Sequence, residues 1–207
     1  MDLAEKRQEA EELRRRLQRL ESEMAEEAAS QVWQATSYYT AYYATTGFML
    51  GMFGAAASLL FNVVGSAFIG QHPLELIRVY LTFPLGDRAL EIDSGLALAV
   101  GCCLYLGTGM LLGVPFYLAL TWLAPAGGLR RRLLLASAIG LAIWVINYYG
   151  VLWWLQPLLV DMSPENYIVN RVPMWVAALT HLVFGWTMAL VYPLGLYVPY
   201  KRETEKS

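Results

Sequence analysis

Four long apolar stretches, residues 44–70, 94–123, 133–156 and 174–198, contain no Lys, Arg, Asp or Glu. Each exceeds the roughly 20 residues a helix needs to cross the hydrocarbon of a bilayer. In lipid every backbone N–H and C=O must find a partner, and a single helix satisfies them within its own segment. The chain is therefore expected to be an all-α integral membrane protein, a four-helix transmembrane bundle over 44–198. Composition agrees, with 15% of the residues charged against about 25% in an ordinary soluble domain.

The charge is segregated. Residues 1–27 carry six Lys/Arg and nine Asp/Glu. Within them Ala10, Leu13, Leu17, Leu20 and Met24 alternate three- and four-residue spacings, the mark of an amphipathic, coiled-coil-like helix predicted over 2–30. Two to three heptads are marginal without something to pack on. The helix is read either as lying on the bundle or membrane surface, or as docking a partner. Its acidic excess disfavours simple adsorption to an anionic leaflet. Trp33, Tyr38, Tyr39, Tyr42 and Tyr43 follow, and such rings favour the headgroup zone. Residues 1–43 thus form an N-terminal helix and aromatic interface segment, and 199–207 a short charged tail. The polar N-terminus lacks the basic-then-apolar pattern of a cleavable signal, so the first span is expected to direct insertion.

Small residues predict how the spans meet. Gly47 and Gly51 form one GxxxG pair, and Gly109 and Gly113 form another. Such pairs let helices approach closely in lipid, where packing drives association. Pro115 is expected to kink the second span and Pro193 to break the fourth. Short interfacial helices are expected in the two connecting loops. One covers 73–82 and stops before Pro84, with Asp93 or Ser94 capping the helix after it. The other starts at Ser163–Pro164–Glu165.

Four spans put both termini and the loop at 124–132 on one side. That side holds twelve Lys/Arg against three on the other, Arg78, Arg88 and Arg171. The positive-inside rule makes both termini cytoplasmic and the expected location a cell (inner) membrane. With the orientation set, depths can be compared. Asn62, Cys102, Cys103, Asn147 and His181 all fall about 10–14 Å from the outer ends of their spans at 1.5 Å per residue. His181 is the only histidine in any span. An imidazole in hydrocarbon must be neutral and hydrogen-bonded. Asn147 is its first expected partner and Asn62 its second. The bland reading is an interhelical clasp, contributing about 0.6–2 kcal/mol and fixing helix pairing. The sharper reading is a ligand site, with Trp144, Tyr148, Phe184 and Trp186 as walls.

The leading functional expectation is a non-catalytic integral subunit or assembly factor of a larger membrane complex, of respiratory or electron-transfer kind among others. The alternatives are a quinone- or haem-binding electron-transfer subunit using His181, and a small channel or transporter. No cofactor is called for outright. A quinone headgroup or haem b are the candidates, and haem is the weaker because His72 falls about 10 Å shallower. No metal cluster, GxSxG, HExxH or P-loop pattern occurs. Cys102 and Cys103 are adjacent, which disfavours a disulfide between them. Other membrane subunits and the bilayer are the expected partners. A homo-oligomer is compatible with the sequence, and the net charge of −2 argues against nucleic acid.

Overall fold

A computed structural model of the chain describes residues 3–31, 36–124, 127–152, 154–155, 158, 169 and 171–197. The helix start expected at Ser163–Pro164–Glu165, the tail at 199–207 and Trp33 lie outside them. Among the described residues the structure is all helical. The elements are α1 (Leu3–Gln31), α2 (Thr36–Phe68), α3 (Glu75–Leu85), a 3-10 helix (Gly86–Glu91), α4 (Gly95–Leu123), α5 (Leu129–Val145), α6 (Met174–Val191) and a closing 3-10 turn (Tyr192–Gly195). A π-helical stretch, Ile146–Leu152, continues α5. Four helices are long and apolar enough to cross a membrane: Tyr39–Phe68, Gly95–Leu123, Leu129–Leu152 and Met174–Gly195. The chain forms two compact units, Met1–Tyr39 and Thr40–Ser207. The first is dominated by α1, whose Leu13, Leu17, Leu20 and Met24 are exposed.

The boundaries differ from the sequence expectation in instructive ways. The first long helix begins at Thr36 rather than 44, because the tyrosine-rich segment is itself helical. Its end is a Schellman motif. The Gln71 N–H donates to the Ser66 carbonyl at 2.9 Å and the Gly70 N–H to Ala67 at 3.2 Å. Gly70 takes φ +71°, which costs a residue without Cβ little. The helix expected to stop before Pro84 instead runs through it to Leu85 and ends at Gly86, where φ is +64°. A proline disfavours helix in the residue before it but does not forbid it. Ser94 occupies the N-cap of α4 without a side-chain bond, and Asp93 pairs with Arg78 instead. α5 starts at Leu129, so Arg130–Arg132 lie in its first turn rather than in a loop. α6 ends at Val191, short of 198, where Pro193 takes over in a 3-10 turn.

Helix packing follows the small residues. α2 and α4 cross where Gly47 and Gly51 face Gly113 and Gly109. A Cβ placed on Gly47 would lie 2.6 Å from the Gly113 carbonyl oxygen, so the backbones themselves are in contact. α5 packs mainly on α6, again through glycine. A Cβ on Gly140 would sit 2.9 Å from the His181 carbonyl oxygen, and one on Gly185 2.8 Å from that of Ala136. The core below these crossings is Phe116, Tyr117, Leu120, Ala136, Met188, Ala189 and Tyr192. The end carrying the closing turn is polar and aromatic. Tyr117 donates to the Tyr192 carbonyl at 3.0 Å, and the Arg132 guanidinium stands 4.9 Å above the Tyr192 ring. Tyr42 contacts Tyr43 and Tyr197 edge-on, each at 5.4 Å. At the opposite end α3 crosses α4 at Gly101, and Ile77, Leu81, Ala89 and Leu98 form a second small core. α3 is therefore packed into protein on one face, not merely laid on the bundle.

Candidate functional site

The site is built around the crossing of α5 and α6. Gly140 brings the α5 backbone against the main chain of His181. Two turns later the helix widens into its π-helical stretch, and Asn147 is the second residue of it. Such π segments enlarge the turn by one residue and are found preferentially at functional sites. The side-chain nitrogen of Asn147 stands 3.4 Å from Nε2 of His181, long for a hydrogen bond. The other ring nitrogen, Nδ1, lies 2.8 Å from the Ala177 carbonyl oxygen. A carbonyl only accepts, so Nδ1 carries the proton. In the neutral ring Nε2 then keeps its lone pair and accepts.

The pair is one link in a belt of side-chain hydrogen bonds. Tyr80 of α3 bonds Thr108 of α4 at 2.5 Å. Tyr105 of α4 bonds Ser58 of α2 at 2.9 Å. Asn62 of α2 donates to Thr180 of α6 at 2.9 Å, and to the Ser58 carbonyl in its own helix at 2.8 Å. His181, next to Thr180, then reaches Asn147 of α5. Each helix from α2 to α6 is thus tied to another by a polar pair. In an apolar surrounding an unpaired amide or hydroxyl costs several kcal/mol, so the pairs also specify which helices meet. Ser58 and Asn62 are buried, which agrees with their use as fixed links.

The belt runs along a cavity of about 820 Å³. That volume falls in the range of about 300–1,000 Å³ usual for small-molecule sites. α4 and α5 form its flanks, α3 supplies Tyr80 and Phe83, and α6 supplies Thr180 and His181. Phe116 and Phe184, packed edge to face at 5.6 Å, stand where the helices converge. Ser58, Tyr105 and Thr108 also reach its wall, so polar groups are spread over an otherwise apolar lining. Trp144 lines it as well, and its indole N–H is buried with no acceptor. A buried donor left unsatisfied costs about 1–3 kcal/mol.

Of the residues singled out in the sequence, His181 and Asn147 come together. Asn62 does not reach the imidazole. It bonds Thr180, one residue earlier on α6. Cys102 is turned toward the small core under α3, whereas Cys103 lines the cavity, and both are free thiols. His72 sits at the start of α3, where its Nδ1 accepts the Leu74 N–H at 3.1 Å. Trp186 donates to Ser137 at 2.8 Å rather than lining the cavity. Among the described residues no group of three or more His, Cys, Asp or Glu is placed to hold a metal ion. Sequence reasoning missed Thr180, Tyr105, Tyr80 and Thr108. The available signal was hydroxyl residues inside or beside apolar runs, a weak one because threonine can also bond its own helix backbone, as Thr108 and Thr180 do.

No protein-family model matches the sequence, and no curated protein or solved structure is significantly similar to it.

Proposed function

We propose that the chain crosses a cell membrane four times with both termini in the cytoplasm, and that it holds a lipid-soluble, hydrogen-bonding ring of the quinol/quinone class beside His181. It does so as a non-catalytic subunit of a larger membrane complex. The observation that carries the reading is the His181–Asn147 pair opening on an 820 Å³ apolar cavity. The chemistry is complementary. A quinol hydroxyl donates to Nε2 of His181, the ring nitrogen left as acceptor by the Ala177 bond. The Asn147 amide donates to a ring oxygen, giving up a contact to His181 that at 3.4 Å is weak. Aromatic and aliphatic walls take the rest of the ring and the start of its tail. The apolar lining excludes water, which strengthens both bonds.

The test is binding. The protein, purified in mild detergent, is extracted and the extract analysed for quinones by mass spectrometry. A short-chain quinol is then titrated against the fluorescence of the seven tryptophans, with Trp144→Phe run in parallel to isolate the share of the tryptophan that lines the cavity. Co-purifying quinone and saturable quenching that His181→Leu weakens about tenfold, as loss of one buried hydrogen bond of about 1.4 kcal/mol implies, support the reading. A quinone-free extract with linear, unsaturable quenching refutes it. An absorption band of bound haem in the same sample would replace quinol by haem at Nε2.

A second reading, an assembly or stabilising factor with no ligand, is favoured by the belt itself, which also serves as a clasp. Under that reading His181→Leu lowers bundle stability and leaves the partner complex active once assembled.

A further inference from the structure

We infer that α1 pairs with α1 of a second copy of this chain as a parallel two-stranded coiled coil. The helix runs from Leu3 to Gln31, about 43 Å at 1.5 Å per residue. Leu13, Leu17, Leu20 and Met24 are 61%, 58%, 51% and 69% exposed. They fall in turn on heptad positions d, a, d and a, and Ala10 extends the a series in the sequence. Four large exposed side chains in one seam are an unpaired half of a coiled-coil interface, since a helix stabilised alone would have no use for them.

The flanking charges select a second copy as the occupant. With this register Glu9, Arg16 and Glu23 are g residues, and Arg14 and Glu21 are e residues. In a parallel pair each g residue meets the e residue five positions later on the other helix. Glu9 then meets Arg14, and Arg16 meets Glu21, each twice by symmetry. Glu23 meets the uncharged Ala28, so both charged contacts are between opposite charges. The antiparallel alignment that sets Leu13 against Leu17 places Arg14 on Arg14, Arg16 on Arg16 and Glu9 on Glu23, all repulsive, against one attractive pairing, Arg7 with Glu21. One other antiparallel alignment, Leu13 against Met24, also matches its charges. It sets Ala10 against Glu27, and it carries the two C-terminal ends of α1 about 40 Å apart. Both ends lead within a few residues into α2, so two copies inserted in the same sense start their α1 helices from the same membrane face. That favours the parallel alignment. Confinement to a membrane raises the effective concentration and compensates for a seam of only a few heptads.

Disulfide trapping in the full-length protein tests the inference and is independent of any ligand. In a Cys102→Ser/Cys103→Ser background, Leu13→Cys is compared with Arg15→Cys, which points away from the seam. Mild oxidation should convert Leu13→Cys to a species of twice the 23.2 kDa chain mass and leave Arg15→Cys at the monomer mass. Arg16→Glu should cut the trapped fraction about fivefold, and adding Glu21→Arg should restore it. Equal trapping at the two positions overturns the seam. Trapping between Leu13→Cys and Met24→Cys chains, with none between Leu13→Cys chains, overturns the parallel arrangement. A monomer that traps at neither position overturns the dimer.

Discussion

Gly113 and Gly65 are both helical glycines, yet the same change to alanine should move stability in opposite directions. A Cβ on Gly113 would meet the Gly47 carbonyl oxygen and the Gly51 Cα, so the obstacle is backbone. No rotamer change can clear it, and α2 and α4 must separate. Overpacking of this kind costs about 1–3 kcal/mol. Removing a glycine from a helix returns about 0.5–1 kcal/mol. The net expectation for Gly113→Ala is a loss of about 1–2 kcal/mol. Gly65 has nothing within 4 Å of the position a Cβ would take. Gly65→Ala should therefore show only the helix-propensity gain of about 0.5–1 kcal/mol. The two variants should differ by roughly 2 kcal/mol, more than tenfold in the unfolding equilibrium. Reversible unfolding in mixed micelles, followed by helical circular dichroism, measures both. If Gly113→Ala is as stable as Gly65→Ala, the backbone contact between α2 and α4 is not where the structure puts it.

Three further outcomes follow from the belt and its neighbours. A double-mutant cycle of His181→Leu with Asn147→Leu should give an interaction energy below about 1 kcal/mol, because the 3.4 Å contact is long; a value near 2 kcal/mol would mean the pair is tighter than described. Asn62→Leu should cost more than Asn147→Leu, about 1–2 kcal/mol in the same unfolding assay, since Asn62 is buried and holds two good bonds; equal costs would refute the ranking. Arg78→Gln removes bonds to Asp93 and to the Ile92 carbonyl that tie α3 to the start of α4; it should cost about 1 kcal/mol or less, and the Asp93 share should fade in high salt, because Asp93 is 83% exposed.

How much of this was legible beforehand depends on what each residue answers to. The four long helices were, because backbone satisfaction in lipid leaves no other fold for a long apolar run. The two GxxxG pairs were legible as packing faces, but their spacing does not say that one pair would meet the other. That depends on where α2 and α4 sit along each other, a property of the whole bundle. The π-helical stretch at 146–152 left no trace in residue pattern, and it decides where Asn147 points. Asn62 shows the limit of matching depths. It lies at about the right height for His181, yet the azimuth of α6 turns Thr180 toward α2, and depth alone carries no azimuth. The α3 boundary was misplaced for a local reason. Pro84 was read as a stop, and the positive φ that ends the helix belongs to Gly86.

The belt also explains why a cavity forms where it does. Its links join α3 to α4, α4 to α2, α2 to α6 and α6 to α5. Followed around the bundle, they run from α3 to α5, and none of these links joins α4 to α5, the two helices that flank the cavity. Two glycine crossings reinforce the separation, because each pulls one of these helices toward a different neighbour, α4 to α2 and α5 to α6. Filling the space with protein would need large side chains where α4 instead carries Gly107 and Thr108. Nε2 of His181, engaged only by the long 3.4 Å contact to Asn147, and the unsatisfied indole N–H of Trp144 line the same space, and the proposed quinol site draws on both.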